Sequence, residues 1–187
     1  LYREDSSIKS VTVDSKEAVR RGEPVTVDGK PRTLYEALAS NPSTADVRVE
    51  ATSSRALVNA GVGAVADPDS SVDYHNIWNG SVSLPEYKTN GYGAQYTEVT
   101  IKVKGNTGTT YNDNTSYLRI YQADGNTGMA GFTMSYVDDL GAEGTAAMYY
   151  SAATERYAVV LPSTAVSAAL TGTAQHPMAG VWGTVGL

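Results

Sequence analysis

Cysteine is absent from the 187 residues, which excludes a disulfide framework, thiolate metal ligation and a cysteine nucleophile. Histidine occurs only as His75 and His176, far apart in the chain, which leaves little material for a His-based zinc site or a proton relay. Charged residues make up 18% of the chain, below the ~25% of an average soluble protein. No run approaches the ~20 apolar residues of a membrane helix, so no membrane span is expected. Bases are the scarcer sign, 14 against 20 acids; the net charge of −6 argues against nucleic acid as the main partner. Neither a Gly-x-Ser-x-Gly elbow nor a metal-ligand His doublet occurs. The expectation is a protein that is not an enzyme, with no catalytic, cofactor-binding or metal residue assigned, and with no cofactor and no small-molecule substrate. The opening residues show no basic stretch followed by an apolar one, so no signal peptide is read there.

What the chain does have is 18 Gly, 13 Tyr against one Phe, and 41% hydrophobic residues, enough for one sizeable core. Tyr pairs an apolar ring with a polar tip, which suits half-buried positions on sheet faces or between subunits. Charge is uneven. Residues 1–50 carry 17 of the 34 charges, and residues 157–187 carry none.

The first fifty residues read as an arm or small subdomain. Val11-Thr12-Val13-Asp14 and Val25-Thr26-Val27-Asp28 repeat one tetrad, each a short alternating strand ending in a turn former. Asp28-Gly29 suits a tight turn. Thr33 is placed to cap a short helix through Ser40, with Leu34 and Leu38 at i, i+4 and Asn41-Pro42 ending it. Val47 and Val49 alternate with Arg48 and Glu50 as another strand. Residues 51–66 fit either a buried strand or a glycine-softened helix, and 67–71 read as a loop.

Beyond that the pattern is β. Val99, Ile101 and Val103 alternate with charged or polar neighbours, as do Leu118 with Ile120 and Phe132 with Met134 and Tyr136. Residues 148–150 and 157–161 follow as further strands, the latter expected to be central. Gly105-Asn106-Thr107-Gly108 and Gly125-Asn126-Thr127-Gly128 supply turns after alternating runs, where a hairpin or loop needs positive φ. The fold class expected is all-β: a jelly-roll-like antiparallel β-sandwich over 51–187, preceded by an arm over 1–50 with short strands and one short helix.

Several groups were weighed for chemistry. Asp67, Asp69 and Asp73 have calcium-loop spacing, but Val72 and Trp78 stand where an EF-hand needs Gly and Glu. A looser calcium loop competes there with a solvated one, and Asp113, Asp124, Asp138 and Asp139 invite the same comment. Glu86, Glu98, Glu143 and Glu155 could supply a glycosidase acid pair, with nothing to select one; Glu98 is expected to face solvent with Lys102. His176 reads as a hydrogen-bonded structural residue. Arg20-Arg21 and Lys30-Pro31-Arg32 are interleaved with acids, so surface charge is favoured over a phosphate site. Trp78, Tyr87, Tyr92 and Tyr96 cluster around a Gly-rich loop, as an interface patch or a sugar-stacking platform.

The arm containing Arg21 to Gly29, the Gly/Thr/Tyr-rich strands from Gln95 to Leu161 and the uncharged end from Val181 to Leu187 give the chain the texture of a virion structural protein. It resembles the small single jelly-roll capsid proteins of tailless icosahedral viruses, including those of halophilic archaea. It is also similar to the decoration proteins of tailed-phage heads. The resemblance is one of type, so it transfers no functional residue. It implies a structural subunit, located in the virion, that acts through contacts with its own copies or a second capsid protein. The alternative is a carbohydrate-binding or adhesive module of a cell surface or appendage. A last expectation is that much of 178–187, with Trp182, is buried in the sandwich or against a neighbour.

Overall fold

A computed structural model describes residues 6–22, 25–27, 30–68, 75–84, 88–105, 114–126 and 128–181, and every regular element among them is a strand. In chain order these are β1 (Ile8–Val13), β2 (Lys16–Glu17), β3 (Val19–Arg20), β4 (Val25–Val27), β5 (Lys30–Arg32) and β6 (Leu34–Leu38). Then come β7 (Thr44–Ala51), β8 (Leu57–Val62), β9 (Ile77–Ser83), β10 (Lys88–Thr89), β11 (Gln95–Lys104) and β12 (Asn114–Tyr121). The last five are β13 (Met129–Asp138), β14 (Glu143–Ala146), β15 (Met148–Ser151), β16 (Arg156–Val159) and β17 (Ala165–Ala174). The protein is all-β.

The chain forms two compact units, Leu1–Asp124 and Gly125–Leu187. The division expected after residue 50 is therefore not where the structure divides. Strands from the first fifty residues need partners for their backbone groups, and these come from later in the chain: β7 pairs β9, and β6 pairs β12.

In the first unit an antiparallel sheet runs in the order β2-β1-β7-β9. A six-stranded sheet runs β10-β11-β12-β6-β3, with β8 also paired to β11. Strands β4 and β5 form a separate hairpin in which Val27 pairs Lys30; Asp28-Gly29 lie outside the described residues. Period-two alternation sends one side of each strand inward. Val11, Val13, Val47 and Val49 from the first sheet join Val58, Val99, Ile101, Val103, Leu118 and Ile120 from the second in one buried cluster. The ambiguous segment 51–66 resolves as strand β8, and Gly63 at φ +77° follows its end.

The helix expected between Thr33 and Ser40 is a strand instead. Leu34, Tyr35, Glu36 and Ala37 are buried in succession. A surface helix buries one stripe, whereas four consecutive buried residues need two covered faces, which a strand inside a sheet provides. Pairing with β12 on one side, parallel, and β3 on the other overrides the i, i+4 spacing of Leu34 and Leu38.

The Asp14-Ser15 turn has φ of 50° and 65° and joins Val13 to Lys16 in two residues, the geometry of a type I′ hairpin. The Asp14 carboxylate also accepts the Ser40 and Asp46 amides, both at 2.9 Å. Burial alone would raise its pKa, but those bonds together with Lys16 hold it below the ordinary value.

The second unit is a three-stranded antiparallel sheet, β14-β13-β17, and a hairpin, β15–β16. The expectation that 157–161 is a central strand fails. β16 ends at Val159 and, among the described residues, pairs with β15 alone, while Tyr157 and Val160 are 50% and 76% exposed. Pro162 lacks a ladder donor and the chain turns back into β17 instead of continuing. Of the two Gly-Asn-Thr-Gly turns, the second has the positive φ expected at Gly125, +69°. Asn106 to Gly108 lie outside the described residues, and Gly125 begins the second unit instead of closing a hairpin.

Candidate functional site

The outer side of the six-stranded sheet carries a ladder of alternating charge. Register sets Glu36 beside Arg119, and Arg119 beside Glu98. The Arg21 Nε lies 2.9 Å from Glu36 Oε2, the Arg119 Nε 3.2 Å from Glu98 Oε2, and the Lys88 Nζ 2.7 Å from Glu98 Oε1. The Arg119 guanidinium also lies 4.9 Å from the centre of the Tyr96 ring, which tilts against Tyr121 at 5.2 Å. The Tyr121 hydroxyl donates to Glu36 Oε1 at 3.4 Å.

The electrostatics follow from this packing. Burial would raise the Glu98 pKa, but Lys88 and Arg119 outweigh it and hold the carboxyl below its usual range. Burial, with the negative Glu36 next to it, pushes the Tyr121 hydroxyl up to about 12. A carboxylate kept ionised by two cations latches strands together and has no proton to give near neutral pH. Of the four glutamates considered as an acid pair, Glu98 sits in this ladder on β11 and Glu143 and Glu155 are exposed in the second unit. Glu86 lies outside the described residues.

The aromatic platform expected around Gly91 is not assembled. Trp78 lies on β9, in the four-stranded sheet, and packs against the core. Tyr96 is buried on β11 in the other sheet, Tyr92 is 54% exposed, and Tyr87 lies outside the described residues. Neighbours in sequence were drawn apart because β9 and β11 belong to different sheets.

Asp67 pairs Lys102 at 2.7 Å, and Asp69, Asp73 and Asp113 lie outside the described residues. The Asp138 carboxylate accepts the Leu140 and Ala142 amides at 3.0 and 2.7 Å, whereas Asp124 and Asp139 are exposed. Among the described residues no three His, Asp or Glu gather as metal ligands. His176 is buried and its Nδ1 accepts the Met178 amide at 3.2 Å, the structural role expected of it; His75 is exposed. Of the basic groups, Arg20 is exposed on β3 and Arg21 joins the charge ladder.

Nothing among known families, curated proteins or solved structures matches the chain. A functional reading therefore has to come from surface chemistry.

The surface that stands out is in the second unit. Met134 is the only buried apolar side chain described there. Leu140, Val160 and Val166 are 90%, 76% and 61% exposed, and Tyr149, Tyr150 and Tyr157 are about half exposed. Register places Tyr150 opposite Tyr157, their ring centres 5.1 Å apart, and Tyr157 leans on Phe132 of β13 at 4.4 Å. Across the sheet, Thr133 and Ser135 of β13 pair with Thr171 and Ala169 of β17, and all four are exposed. The sequence marked 148–150 and 157–161 as strands without singling out these tyrosines. The signal that could have found them is the lack of charge after Arg156. Val181, 43% exposed, sits over Gly172, while Trp182 to Leu187 lie outside the described residues.

Proposed function

We propose that the chain is a structural subunit of a virus particle, building or decorating the shell through contacts with its own copies or a second shell protein. One observation carries the reading: among the described residues of the second unit, Tyr149, Tyr150, Tyr157, Leu140, Val160 and Val166 are exposed and only one apolar side chain is buried. Apolar surface of this kind, rich in Tyr and poor in charge, is what subunit interfaces use. In this reading the first unit is a β-sandwich whose two sheets share one core and whose outer side carries the ion-paired ladder. The jelly-roll assignment is the finer part of the proposal, with the parallel pairing of β6 and β12 as a departure from its antiparallel pattern. The role places the protein in the virion and calls for no cofactor or small-molecule substrate.

Light scattering and electron microscopy of the native material test this. Closed particles containing the chain are expected. Recovery only as a monomer at every concentration would overturn the proposal.

A second reading, a carbohydrate-binding or adhesive module, draws on the stacked and exposed Tyr150–Tyr157 pair, since half-exposed rings stack on sugars as well as on proteins. Glycan binding that is lost in Tyr150→Ala and Tyr157→Ala variants would favour it over the shell role.

A further inference from the structure

We propose that β17 pairs along its free edge with β17 of a second copy, antiparallel about a two-fold axis, joining two three-stranded sheets into one of six strands. The inference deepens the reading above, and rests on it, by naming the partner and the contact.

Strand β17 is ten residues long and pairs on one side with β13; among the described residues no strand pairs its other side. That side presents a row of backbone N–H and C=O groups, which proteins normally blunt with charge, proline, a bulge or brevity. The other edges follow the rule. β2, β3 and β10 are two residues long, β14 is four, and each carries a charged side chain. β8 and β9 are longer uncharged edges, but they are tied to each other, the Val58 amide of β8 donating to the carbonyl of His75, just before β9, at 2.9 Å, and β15 is uncharged but only four residues long. From Ser167 to Thr173, β17 has none of these devices. Its sequence, AVSAALTGTA, holds no charge and no proline. Its register with β13 is regular from Ser167 to Thr173, with shifts only at the two ends.

Charge selects a second copy as the occupant. In a two-fold antiparallel pair the residues next to the axis face their own counterparts, so a charge there would meet its like. A chain of net charge −6 repels its copies in general, and the stretch without charge is where two copies can approach at least cost. The axis stands normal to the sheet, so the exposed Thr133, Ser135, Ala169, Thr171 and Thr173 continue into the same face of the partner. Their small side chains put nothing bulky in the way.

The test uses the full chain in sedimentation velocity over a concentration series. Ala169→Lys/Thr171→Lys and Ala169→Glu/Thr171→Glu change two exposed positions, and each variant is checked by circular dichroism for an unaltered β spectrum. The wild type should associate to a dimer or larger, each double variant should sediment as a monomer, and an equal mixture of the two should regain the associated mass. Hydrogen exchange on the monomeric variants should find the β17 edge amides unprotected. Wild-type mass retained by the Lys variant would overturn edge pairing and leave the shell reading standing. A wild-type monomer throughout would sink both. A mixture that stays monomeric, or protected edge amides in the monomer, would also overturn the pairing, the latter by showing that the chain covers its own edge.

Discussion

Two strand glycines lie beneath aromatic rings, and the contacts are close enough to decide what those positions tolerate. A Cβ on Gly80 would fall 2.4 and 2.5 Å from ring atoms of Trp78, two residues earlier on β9. A Cβ on Gly144 would fall 2.5 Å from the end of the Tyr136 ring, which register places directly across on β13. Glycine weakens a strand by leaving its backbone bare, and a ring laid over it restores the cover. Gly80→Ala should therefore push the Trp78 indole off its place against the core. The expected loss is about 1–3 kcal/mol in chemical denaturation, typical of overpacking, with a shift in tryptophan emission. Loss below about 0.5 kcal/mol and unchanged emission would show that the ring yields freely. The sequence marked glycine as abundant and assigned Gly125 to a turn, as its positive φ bears out, but it did not single out Gly63, which also takes a positive φ. It could not show Gly144 under Tyr136, because that pairing exists only once the register is set.

The charge ladder belongs to the scale of elements, since each of its members comes from a different short stretch: the segment after β3, then β6, β12, β11 and β10. Its pH dependence can be signed. Unfolded Tyr121 ionises at about 10, and in the folded chain not until about 12. Between those values the unfolded state has released a proton that the native state keeps, so stability falls as pH rises from 10 through 12. The full shift corresponds to roughly 2–3 kcal/mol. Burial causes most of it and Glu36 adds to it, so Glu36→Gln should shrink the alkaline loss without abolishing it, measured as denaturation midpoint against pH. Parallel curves for the two proteins would show that the Glu36 charge does not act on Tyr121.

The period-two alternation of 97–104 and 117–121 was legible because side-chain direction is local; Glu98 does point away from the core, but its ion pairs leave it half-buried where open solvent was expected. Its partners were not legible. Lys88, Arg119 and Glu36 meet through strand pairing, and Glu36 had been placed on a helix because Leu34 and Leu38 satisfy the helical period as readily as they satisfy opposite ends of a strand.

At the scale of the molecule the two units differ in what holds them. The first gathers Val, Leu, Ile and Ala side chains from two sheets into one cluster, while among the described residues of the second Met134 is the one buried apolar side chain, beside backbone ladders and tyrosine contacts. Backbone pairing alone contributes little net stability, because water satisfies the same groups in the unfolded chain; burial supplies the surplus. The charge-free end hinted at this asymmetry in the sequence. The boundary itself did not show, because Gly125-Asn126-Thr127-Gly128 has the composition of a hairpin turn whether it closes a hairpin or separates two units. The expected outcome is that a chain ending at Asp124 unfolds cooperatively with a melting temperature near that of the full chain. A chain of residues 125–187 should show no cooperative transition while monomeric and should gain one only on association. Calorimetry of the two pieces over a range of concentration checks this. A cooperative melt of the 125–187 monomer would mean that its sheet and hairpin suffice as a core, and its outward tyrosines would then need no neighbour to hold the fold.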